Sequence, residues 1–94
     1  MYKSIVINDK DNVATALEDL PSTESIAVKI GTQTKDIQLA EPIRFGHKFA
    51  IQNIEQGEYI YKYGEIIGRA SQAIKIGDYV HVHNLEGNRG RGDK

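Results

Sequence analysis

The apolar positions of this chain recur mostly at a period of two, the signature of strands whose two faces meet different surroundings. Ser4 to Ile7 is a short β-prone run, ended by the turn-forming cluster Asn8-Asp9-Lys10-Asp11. Ile26-Ala27-Val28-Lys29-Ile30 reads as a strand, Gly31-Thr32-Gln33-Thr34 as a turn, and Lys35 to Leu39 as the returning strand. Pro42 stops any longer ladder, because it has no amide proton to donate. His47 shares a face with Phe49 and Ile51, which places it at the entry to a further strand. Tyr59 to Tyr63 and Glu65 to Ala70 are two more runs joined at Gly64, and Gly68 predicts a bulge or a close backbone approach. One segment keeps another period: Val13, Ala16, Leu17 and Leu20 fall at i, i+3, i+4 and i+7, between the cap candidates Asp11 and Asn12 and the terminator Pro21. The expected fold class is therefore mainly β with one short N-terminal helix.

The stretch Ile74 to Asn84 organises the rest. From Tyr79 to Asn84 a strand period would point Val80 and Val82 one way and Tyr79, His81 and His83 the other, giving one apolar face and one chemical face. Upstream, Ile54-Glu55-Gln56-Gly57-Glu58-Tyr59-Ile60 matches Ile74-Lys75-Ile76-Gly77-Asp78-Tyr79-Val80 in its Ile, Gly, acidic, Tyr and β-branched positions. Two copies predict a pseudo-symmetric pair of β units in which each Gly turns the chain before a strand.

Ninety-four residues with 39% hydrophobic content make one small domain, too small to enclose a deep active site within its own walls. The body is expected over residues 1–84, and residues 85–94, rich in Gly and Arg, as a flexible tail. Arg91-Gly92-Asp93 within it is an adhesion-type tripeptide read as coincidence. Acids and bases are interspersed at a formal charge of -1, so no nucleic-acid footprint is expected. No run approaches the length of a membrane span, no secretory segment opens the chain, and Cys is absent, so the expected location is cytoplasmic.

His81 and His83 would lie roughly 6.5–7 Å apart along a strand, near enough to share a divalent cation if a third ligand such as His47 converged on them. The same spacing serves two surface or interface histidines that only hydrogen-bond and pack. Tyr59, Tyr61, Tyr63 and Lys62 surround Gly64 and could line a carboxylate pocket with Lys48 or Lys62 as counter-charge, or simply pack with their polar ends at the rim.

Three blocks carry a resemblance: Gly46-His47-Lys48-Phe49-Ala50, Lys62-Tyr63-Gly64-Glu65-Ile66-Ile67-Gly68-Arg69-Ala70, and Gly77 to Asn84. In that order they are similar to the SAF domain of the altronate and galactarate dehydratase family, which implies a β-clip fold. The tail Asn88 to Asp93 resembles the end of stand-alone small subunits, as in sulfolactate sulfo-lyases and two-chain sugar-acid dehydratases. The resemblance implies the small subunit of a lyase that removes water, or sulfite, from a 2-hydroxy acid such as altronate or galactarate, in an active site shared with a large catalytic subunit. It further implies a divalent metal such as iron, held by His81 and His83 or mainly by the large chain. Catalytic roles would fall to His47, His81 and His83, and substrate contacts to Lys48, Lys62, Tyr63 and Asn84. The competing expectation is a non-catalytic module that binds a sugar acid or docks a protein.

Overall fold

The computed structural model describes residues 2–22 and 25–87. Every ladder among them is antiparallel. The strands are β1 (Ser4–Ile5), β2 (Val13–Ala16), β3 (Ser25–Ile30), β4 (Gln33–Gln38), β5 (Lys48–Ala50), β6 (Tyr59–Lys62), β7 (Glu65–Ala70), β8 (Tyr79–Val80) and β9 (Leu85–Gly87). A four-stranded sheet runs in the order β1-β2-β5-β8, flanked by the β3-β4 hairpin and by a three-stranded sheet β6-β7-β9.

The central sheet has a core on each face. Ala14, Ala16 and Phe49 join Ile26, Val28 and Ile37 of the β3-β4 hairpin in one cluster. Val13, Ala50 and Val80 join Ile54, Ile60, Ala70 and Ile74 in the other. Phe49 is 0% exposed, a burial worth about 1.5–3 kcal/mol.

No helix occurs among the described residues, and the expected short N-terminal helix is overturned: Val13–Ala16 form β2. All four residues of β2 are buried, because the strand lies between β1 and β5 with apolar matter on both sides. Small and β-branched side chains fit such a two-sided strand, and the spacing of Val13, Ala16 and Leu20 imitated a helical stripe by coincidence. Leu17, which a helix would have buried with them, is 47% exposed.

The alternation expected from Tyr79 to Asn84 also stops early. β8 ends at Val80, and the amides of Asn84 and Leu85 both donate to the His81 carbonyl, at 3.1 and 2.9 Å, closing a turn. Val82 is consequently 78% exposed whereas Val80 is 0%. β9 takes up Leu85–Gly87, and residues 88–94, with Arg91-Gly92-Asp93, lie outside the described residues. No helix among the described residues is long and apolar enough to cross a membrane.

The repeat is present, in three copies. Ile54 and Ile74 exchange both backbone bonds at 2.8 Å, and Ile43 does the same with Leu20 at 2.9 and 2.7 Å. After each isoleucine the chain turns through a glycine of positive φ: Gly46 at 85°, Gly57 at 89° and Gly77 at 93°. The residue after each glycine returns its amide to the carbonyl three back, His47 to Arg44, Glu58 to Glu55 and Asp78 to Lys75. Each copy then enters a strand with a fully buried side chain, Phe49, Ile60 or Val80.

The β6-β7 hairpin closes on Tyr63 and Gly64, both at positive φ (57° and 81°), as a two-residue turn of the primed kind requires. Asp11, buried, accepts the Gly64 amide on one carboxylate oxygen at 2.8 Å and the amides of Ile7 and Asn8 on the other, so the β1-β2 loop fixes this hairpin tip. Gly68 fulfils both expectations. The register shifts beside it, and a Cβ there would collide with the Glu86 carbonyl oxygen.

Candidate functional site

β5 and β8 pair with Phe49 opposite Tyr79 and Lys48 opposite Val80, and this register gathers residues that are far apart in the chain. His47, just before β5, faces Tyr79 across the ladder, with Nδ1 2.5 Å from the Tyr79 hydroxyl. The turn after β8 folds back so that His81 and His83 both lie against the Tyr79 ring. Centroid distances are 5.4 Å from Tyr79 to His81 with planes 12° apart, 5.7 Å from Tyr79 to His83, and 5.2 Å from His47 to His81. All three imidazoles therefore surround one tyrosine. Tyr79 and His47 are partly buried and His81 and His83 exposed, so the cluster opens to solvent.

Asn84 makes this turn. Its Oδ1 accepts the His81 amide at 3.0 Å and its Nδ2 donates to the Tyr79 carbonyl at 2.8 Å, and the residue is 3% exposed. Both ends of the amide expected to meet substrate are engaged inside the turn, where they hold the histidines in place.

The lysines stand at the same end of the sheet on its other face. Phe49 enters one core and Ala50 the other, so strand alternation sends Lys48 to the side of Ala50, beside Thr15 of β2. The Tyr63 hydroxyl reaches Thr15 Oγ1 at a long 3.5 Å, and Lys62 Nζ lies 5.0 Å from the Tyr63 ring centre. Burial, and secondarily the charge of Lys62, hold the Lys48 ammonium below its ordinary 10.5. His81 is held below its ordinary 6.5 by desolvation first and then by the positive fields of His47, Lys48 and His83. His81 thus feels both halves of one cationic surface.

Among the described residues no group of three His, Asp or Glu side chains is placed to hold a cation. Zinc-type ligation needs nitrogens about 2.0–2.1 Å from a common centre. Tyr79 and His81 instead stack with planes 12° apart, and His83 lies tilted by 36° against the Tyr79 ring.

Tyr79 is the member that reading by motif passed over, since its alternation with His81 marked a shared face without marking a bond. The signal that could have placed His47 beside it was the first copy of the turn, Ile43-Arg44-Phe45-Gly46-His47-Lys48-Phe49, whose Ile-x-x-Gly spacing is that of the other two.

Residues 2–88 match the family model described as the altronate/galactarate dehydratase SAF domain. The chain belongs to that family. This SAF domain is 40% identical over 88 residues to the altronate dehydratase of Bacillus subtilis (strain 168), a match covering 94% of the chain and 17% of that enzyme. It is 38% identical over 77 residues to the galactarate dehydratase (L-threo-forming) of Escherichia coli (strain K12), covering 81% of the chain and 14% of the enzyme. It is also 31% identical over 93 residues to the (2R)-sulfolactate sulfo-lyase subunit alpha of Chromohalobacter salexigens, covering 95% of the chain and 99% of that subunit. The SAF domain thus spans a small fraction of the dehydratases and nearly the whole of the sulfo-lyase subunit. A lyase-associated role fits these relatives.

Proposed function

We propose that this SAF domain is the small subunit of a cytoplasmic lyase, completing with its histidine face an active site whose remainder belongs to a larger chain. The observation that carries this reading is the open cluster of His47, Tyr79, His81 and His83 on a chain that matches a named subunit from end to end. The substrate is a 2-hydroxy acid, altronate or galactarate by one set of relatives and sulfolactate by the other.

Elimination from such an acid breaks a C–H bond α to a carboxylate and a bond to the leaving group on the next carbon. The proton is barely acidic, so the developing enediolate needs positive charge close by and a positioned base. Lys48, whose charge reaches His81 from the far side of the same sheet end, would with Lys62 beside it supply positive field to the carboxylate. Neutral imidazole suits proton transfer near neutral pH, and the lowered pKa of His81 keeps it in its base form. Tyr63, beside Lys62, would line the carboxylate end. Because the imidazoles here do not close around a cation, a divalent metal such as iron would be held chiefly by the partner chain.

The test is co-expression with the large subunit and assay of elimination on the three acids. His81→Ala and His83→Ala are expected to reduce turnover at least ~10²-fold while leaving the fold unchanged by circular dichroism. Full turnover in both variants would reduce the chain to a binding module.

A further inference from the structure

In two copies of the repeated turn the residue after the glycine uses its carboxylate on its own turn. Glu58 accepts the Glu55 amide at 2.7 Å and Asp78 accepts the Lys75 amide at 2.8 Å. In the first copy His47 occupies that place, and its side chain reaches across to β8 instead, where Nδ1 meets the Tyr79 hydroxyl at 2.5 Å. The Tyr79 ring has little freedom to leave. It packs against the core on one side, and its neighbours His81 and His83 are held by the Asn84 turn.

We infer that Tyr79 is a positioning residue that fixes the tautomer of His47, so that the neutral ring carries its proton on Nε2 and presents a hydrogen-bond donor to the open face. A phenol is the better donor of the pair and a bare imidazole nitrogen the better acceptor, so the hydroxyl hydrogen lies toward Nδ1. A neutral imidazole has one N–H, which the occupied Nδ1 assigns to Nε2. With Nε2 protonated, His47 can hold a carboxylate or hydroxyl oxygen but offers no lone pair to a cation and no base to a C–H bond. Resting on the lyase reading above, this leaves abstraction of the α-proton to His81 or His83. The tautomer itself does not depend on that reading.

Long-range ¹H–¹⁵N correlation spectra of the full isolated chain, recorded at about pH 8 where imidazoles are neutral, test this without any partner or activity. The expected wild-type spectrum has His47 Nδ1 unprotonated and shifted as a hydrogen-bond acceptor, with the proton on Nε2. Tyr79→Phe keeps the ring and deletes only the hydroxyl. It should move Nδ1 to the position of a free unprotonated nitrogen and lower the ratio of the two tautomers about fivefold, the equivalent of one ordinary hydrogen bond. A proton on Nδ1 in the wild type overturns the inference, as does a His47 spectrum unmoved in a folded Tyr79→Phe chain. If that variant fails to fold, the wild-type spectrum alone decides. Loss of activity on His81→Ala with Nδ1 protonated would sink the tautomer and spare the lyase, and the reverse pair of results would do the opposite.

Discussion

Gly57 and Gly77 hold the same place in two copies of one turn, at φ of 89° and 93°, yet they are not equally replaceable. A Cβ at Gly57 would meet open space, whereas one at Gly77 would collide with the Gln38 carbonyl oxygen. The cause is local: Gly77 receives the Ala40 amide on its own carbonyl at 3.0 Å, so the end of β4 runs directly against this turn. Gly57→Ala should therefore cost only the left-handed penalty, about 1–2 kcal/mol. Gly77→Ala should add roughly 1–3 kcal/mol of overpacking. Urea unfolding midpoints of the two variants measure the difference, and equal midpoints would refute it. At this scale much was legible in the sequence, because a glycine before a strand has a conformational reason to be there. What it could not convey is which glycine is crowded, since Gln38 is far away in the chain.

The turn between β8 and β9 shows where element-level reading fails. Alternation of Val80 with Val82 predicts a continuing strand, but pattern carries no information about the two internal bonds of Asn84 that bend the chain after Val80. β2 fails for the opposite reason. A strand buried on both faces has no polar face to set a period of two, so chance spacing looked helical. Hairpins β3-β4 and β6-β7, each with one face on a core, were readable to within two residues, the expected turn Gly31 to Thr34 giving up Gln33 and Thr34 to β4. Asn84→Ala should remove both bonds and lower stability by about 1–3 kcal/mol. It should also speed hydrogen exchange at the His81 amide, whose acceptor is Asn84 Oδ1. Asn84→Asp, which keeps the acceptor and loses the donor, should fall between. An exchange rate unchanged in Asn84→Ala would show that the turn does not depend on this side chain.

Taken whole, the molecule collects positive groups at one end of its central sheet, and its stability should depend on pH accordingly. His81 and Lys48 both have folded-state pKa values below their unfolded ones. Their charged forms are disfavoured in the fold, so the penalty is complete at low pH and is relieved as pH rises from the folded value to the unfolded one. For His81 that window ends near 6.5. The thermal midpoint should rise with pH through the acidic side of that value, and His81→Gln should flatten part of the rise. A midpoint that falls across the window, or an unaltered slope in the variant, contradicts the assignment. The gathering of residues 47, 81 and 83 on one open side was foreseeable as a family likeness, but the bond that ties His47 to Tyr79 required the β5-β8 register. The threefold turn gives this arrangement a division of labour. Two joints are buttressed from within by their own carboxylates, and the third, with a histidine in that place, turns its side chain across the ladder to Tyr79. Deleting the bond between His47 and Tyr79 would thus leave the carboxylate clasps of the other two joints standing.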